Sequence, residues 1–189
     1  MNDEKELIIK YALQSPENLR VALLTCESYD DLKKTVVSAF AEKLERRLRK
    51  KLREEWIVTN ELRDSCLRAW HGIYISKNAW QLLDISIRLE TEANARRFFA
   101  GIRCPQANRP KSLNEQQLRE ELTEKKGKNN KWWIYYYDVA DKYKNWTNAD
   151  TMCLLHDESS QEEALDYFIN EFLELKNLVA DKIDEAIKK

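Results

Sequence analysis

The sequence predicts an α+β domain, with a largely antiparallel sheet of about four or five strands packed against long amphipathic helices. Three observations carry this. Between Arg68 and Cys104 two runs, Leu83, Ile85, Ile87, Leu89 and Phe98, Ala100, Ile102, Cys104, alternate apolar with mostly polar or small neighbours, the period of half-buried strands. On both sides of them apolar residues recur at helical spacing. Finally, three Gly and three Pro in 189 residues are too few for an all-β fold dense in tight turns. No regular β-α-β alternation asks for parallel strands.

Taken in order, Leu7, Ile8, Tyr11 and Ala12 mark a short amphipathic helix that the Ser15-Pro16 step ends, since the residue before proline avoids the α region. Pro16 suits the first turn of the next helix, which carries Leu19, Val21, Ala22, Leu23 and Leu24. A third helix is expected from about Asp30 to Trp56, with Leu32, Val36, Phe40, Leu44, Leu48 and Leu52 on one oblique stripe. After a polar connection through Asn60, Arg63 and Asp64, strands are expected at Ala69–Ser76, Leu82–Glu90 and Arg97–Cys104, forming a meander. Pro105 and Pro110 break it. Ser112 with Glu115 then reads as a capping box opening a helix through Leu118 and Leu122 to Gly127. Trp132 to Val139 returns as an aromatic strand, and Thr151 to Leu155 reads as a short edge strand. A second capping box, Ser160 with Glu163, opens a long helix marked by Leu165, Phe168, Ile169, Phe172, Leu175, Val179, Ile183 and Ile187. No repeat, low-complexity tract or composition shift divides the chain, so a single domain over 1–189 is expected: helical 1–65, strands 69–104, helix 112–127, strands 131–155, helix 160–188.

Charge excludes little and motifs exclude more. With 32 Lys and Arg against 33 Asp and Glu the net charge is −1, so any anionic partner needs a local patch. The first ten residues lack a basic region followed by an apolar core, and no uninterrupted apolar run of about 18 residues occurs. A soluble, cytoplasmic protein with no membrane partner is expected. Cys26, Cys66, Cys104 and Cys153 form no C-x-x-C pair, which suits reduced thiols. There is no G-x-S-x-G, H-E-x-x-H, Walker loop or G-x-G-x-x-G. Glu124-Lys125-Lys126 and Glu174-Leu175-Lys176 spell an acid-x-Lys step, but on helix patterns without a strand-borne aspartate before them. The expectation is a protein without catalytic residues or cofactor.

Three constellations could bind something. Arg46, Arg49, Lys50 and Arg53 gather opposite the leucine stripe at 100° per residue, a cationic ridge able to track phosphates. The neutral total charge favours a solvated face paired locally with Glu42, Glu45, Glu54 and Glu55. In the aromatic strand, Trp133, Tyr135 and Tyr137 are expected on one face and Trp132, Ile134 and Tyr136 on the other. One face must be core; Trp133, Tyr135 and Tyr137 are the expected partner-binding set, for a protein or a second copy, because aromatics are enriched at interfaces. Cys66, His71, Cys153 and His156 would close a zinc site if their segments met, although their spacing matches no finger pattern.

The long helical lead-in, then Trp70-His71-Gly72-Ile73-Tyr74-Ile75, Trp80, the Ile85–Leu89 strand, Phe98 to Ile102 with Gly101, Trp132 to Tyr137 and Trp146, resembles the C-terminal, non-catalytic portion of bacterial PD-(D/E)XK nuclease-superfamily proteins. The nuclease half bearing the family motif would precede it. The resemblance therefore implies binding or regulation rather than cleavage, in a bacterial or phage setting beside a nuclease or phage-defence system. A nucleic-acid-binding accessory domain using the basic ridge is the alternative expectation.

Overall fold

A computed structural model describes residues 3–65, 68–92 and 95–189. In chain order its elements are α1 (Asp3–Ala12), α2 (Pro16–Glu27), α3 (Tyr29–Lys51), β1 (Ile57–Asn60), α4 (Leu62–Ser65), β2 (Gly72–Ser76), α5 (Asn78–Gln81), β3 (Ser86–Glu92) and β4 (Arg97–Arg103). There follow α6 (Glu115–Glu121), β5 (Trp133–Asp138), α7 (Asp141–Lys144), α8 (Ala149–His156) and α9 (Glu158–Lys188). Two compact units divide the chain, Met1–Thr35 and Val36–Lys189.

In the first unit the Ser15-Pro16 step acts as expected. The Ser15 hydroxyl accepts a bond from the Asn18 amide at 3.1 Å, capping α2, and Pro16 occupies the first turn.

In the second unit five strands pair antiparallel in the order β1-β2-β3-β4-β5, so each neighbour in sequence is a neighbour in space. The registers put Val58, Ile73, Ile75, Ile87, Leu89, Ala100, Ile102, Tyr135 and Tyr137 on one face. All belong to the main core. Phe168, Phe172 and Leu175 of α9 lie against Leu89 and Ala100. Phe40 of α3 meets Trp146 edge-on at 5.4 Å, and Trp146 stacks on Phe98 at 3.9 Å. Each such buried aromatic contributes through area first and ring geometry second. Gly101 is required by close approach: a Cβ there would stand 2.3 Å from the Tyr135 carbonyl oxygen.

Several elements depart from the sequence-based expectation. The third helix ends at Lys51 rather than Trp56, and Ile57–Asn60 form β1, a strand the pattern did not mark. Trp56 instead packs edge-on against Trp80 at 5.2 Å. The segment read as an edge strand, Thr151 to Leu155, lies in α8: the Asn148 side chain caps it by accepting from the Asp150 amide at 2.9 Å, and Thr151 and Leu155, four apart, are buried on one side. Neither Ser-x-x-Glu box is the cap. Asn114 caps α6 through the Gln117 amide, while the Ser112 hydroxyl donates to the Ala186 carbonyl at 2.7 Å. Asp157 caps α9 and leaves Ser160 inside the helix.

Candidate functional site

A bulge between Ile102 and Arg103 shifts the β4–β5 register, so that Arg103 pairs with Trp133 while Ile102 pairs with Tyr135. One extra residue in β5 reverses the alternation. Trp133 therefore turns to the opposite face from Tyr135 and Tyr137, where its ring meets Phe99 at 5.2 Å and Tyr136 at 5.9 Å. Phe99 and Trp133 are buried yet stand outside the main core. They form the floor of a second layer that also holds Tyr74, Arg88, Glu90 and Arg103.

That layer opens into a cavity of about 310 Å³ lined by Trp70, Glu90, Arg103, Asn130, Trp132 and Trp133. Two of its lining side chains are indoles that stay in solvent, Trp70 at 59% and Trp132 at 47% exposure. Trp70 is held in the left-handed region with φ 67°, while its amide donates to the Thr91 carbonyl at 2.7 Å. Such a conformation costs a bulky residue about 1–3 kcal/mol and persists only where the surroundings hold it. Trp132 is placed by Asn130, whose side-chain oxygen accepts from the amides of Trp132 and Trp133 at 2.8 and 3.0 Å.

The polar groups are paired before any ligand arrives. Arg88 stacks on Tyr74 at 4.1 Å and binds the Glu90 carboxylate at 3.2 Å; Arg103 binds Asp84 at 3.0 Å and lies 5.5 Å from the Trp132 ring. Glu90 is only 2% exposed. Burial raises its pKa above the ordinary carboxylate value, outweighing the attraction of Arg88 and Arg103. These two carboxylates and two guanidiniums balance one another, and the Lys131 ammonium lies 5.5 Å from the Trp132 ring.

The other predicted residues fall elsewhere. Trp133, Tyr135 and Tyr137, expected together on an outward face, are all buried and divided between faces. Tyr137 donates its hydroxyl to Glu171, and the Tyr135 hydroxyl accepts from the Gly127 amide at 2.6 Å. Arg46, Arg49 and Lys50 are exposed on α3, whereas Arg53 lies beyond the helix end. Arg49 is occupied by Glu45 at 2.9 Å and the Val58 carbonyl at 2.6 Å. Of the four zinc candidates, Cys66 lies outside the described residues; among those described, no group of three or more His, Cys, Asp or Glu is placed to hold a metal ion. Sequence reasoning missed Trp70 and Trp132 as a pair: the strand registers put the start of β2 and the start of β5 at opposite ends of the sheet, and the two residues are joined only as lining of one cavity. The signal available was two tryptophans, each beside a strand start. No helix among the described residues is long and apolar enough to cross a membrane.

Comparison with protein-family models, with curated proteins and with solved structures finds no match to this chain.

Proposed function

We propose that the protein is a non-enzymatic interaction or regulatory module that grips an apolar or aromatic side chain of a partner protein between Trp70 and Trp132. The observation that carries this is that two exposed indoles line one cavity together with buried Trp133 and Glu90. Exposed tryptophans rimming a pocket are the residue type that dominates binding energy at protein interfaces. Charge favours a neutral side chain over a phosphate: Arg88 and Arg103 are already matched by Glu90 and Asp84, and a carboxylate in the floor repels an anion. The partner's being a nuclease or phage-defence component rests on the sequence resemblance.

The test is a capture experiment from source-cell lysate with the parent protein, Trp70→Ala and Trp132→Ala. Loss of the same captured protein from both variants, with unchanged circular dichroism, is the expected result. An identical captured set for all three removes the pocket from consideration. A second reading, nucleic-acid binding, draws on Arg46 and Lys50, which are exposed and form no ion pair among the described residues. It predicts a band shift that weakens steeply with salt and with Arg46→Ala or Lys50→Ala.

A further inference from the structure

We propose that the first unit is a self-association element: α1 and α2 of one chain pair with α1 and α2 of a second copy in a helical bundle. Within residues 3–35 Ala12 is the one residue that is buried among those described, and α2 buries none. Leu7, Ile8, Tyr11, Val21, Leu24 and Leu32 are each half or more exposed.

The distribution of these side chains matters more than their number. At 100° per residue Leu19 and Leu23 of α2 fall close together, Val21 falls nearly opposite them, and Leu24 between. Apolar residues thus stand on more than one side of α2, interleaved with Glu17, Arg20 and Glu27, and contact with α1 buries none of them. A unit of this length has too little interior to be stable without assembly or staples. Its large apolar side chains, each about half exposed, leave on the order of 1,000 Å² of surface, comparable to the roughly 800 Å² that each partner contributes to a specific interface.

Charge favours a second copy as the occupant. The first turn of α1 carries Asp3, Glu4 and Glu6 against the single Lys5, a net acidic end, and its last turn carries Lys10. In a two-fold antiparallel pairing the acidic end of one α1 lies beside the basic end of the other, and a two-helix element doubled this way gives four helices around one core.

Sedimentation equilibrium of the full chain across the micromolar range tests the proposal, alongside Ile8→Glu and Val21→Glu. Expected is a dimer mass for the parent and association at least about tenfold weaker for each variant, because a carboxylate would be buried without a partner. Helical content is expected to hold, since glutamate is a good helix former. A monomeric parent overturns the proposal, and so does a dimer that both variants leave intact. A monomeric parent that floats with lipid vesicles would overturn it as well and assign the face to a membrane.

Discussion

Asp184, near the end of α9, supplies the sharpest test of how the second unit holds together. One of its carboxylate oxygens accepts from Trp80 Nε1 at 2.6 Å and the other from Lys77 Nζ at 2.6 Å. Trp80 is fully buried. Asp184→Ala would strand the indole N–H in the core, at a cost of about 1–3 kcal/mol, and delete a charge-assisted bond worth a similar amount. Lys77 is spared part of the loss because Glu55 stands 3.3 Å away. The expected total is about 3 kcal/mol. With a slope of about 2 kcal/mol per molar for a chain of this size, the urea midpoint should fall by about 1.5 M at unchanged slope. Tryptophan fluorescence is the right probe, because all six tryptophans lie between Trp56 and Trp146 and so report the second unit. Trp80→Phe completes a double-mutant cycle: removing the N–H removes the penalty, so its cost should be about 1–2 kcal/mol smaller in the Asp184→Ala background. A drop below about 1 kcal/mol for Asp184→Ala, or strict additivity in the cycle, would refute the reasoning.

Other expectations follow from the same geometry. Trp133→Ala should lose about 3–4 kcal/mol in thermal or urea unfolding because the ring is buried against Phe99, whereas Trp132→Ala should stay within about 0.5 kcal/mol of the parent. Burial works to raise the pKa of Asp138, but bonds from Lys144 at 2.5 Å and Arg97 at 2.7 Å prevail and hold it below the ordinary carboxylate value. Its contribution is therefore present above the unfolded-state pKa and lost as pH falls through the lowered folded one. Asp138→Asn should cost about 0.5–1 kcal/mol at pH 7, allowing for solvent screening, and nothing once the pH is below that range. Burial pushes the Cys104 thiol up to about 11, so site-resolved alkylation at pH 8 should modify exposed Cys26 and Cys153 well before Cys104.

The meander was legible because its information is local: Ile85, Ile87, Leu89 and Phe98, Ala100, Ile102 carry their own period, and antiparallel neighbours need only short turns. What escaped was set by contacts the sequence does not juxtapose. Trp56 falls four residues after Leu52, which continues the leucine stripe on paper; in the fold its ring is taken by Trp80, and the helix ends at Lys51. Thr151 to Leu155 carries the letters of a strand, yet Asn148 caps a helix there. Each miss is a case of a long-range packing partner or a side-chain cap overriding local pattern.

The site shows the same effect with larger consequence. Strict alternation along Trp132–Tyr137 puts Trp133 with Tyr135 and Tyr137, and that set was the expected binding surface. A single extra residue at the β4–β5 bulge separates them. Tyr135 and Tyr137 become core, Trp133 becomes the floor of the opposite layer, and Trp132 is left standing at its rim. Trp70, in a left-handed turn just before the start of β2, lines the same cavity. Neither feature is encoded as a motif, and either alone gives only an exposed ring. Together with the pairing of Arg88 with Glu90 and Arg103 with Asp84, they leave a cavity lined by three indoles whose arginines and carboxylates are already matched. Such a cavity gains most from a flat or apolar side chain that displaces water, and least from an added charge.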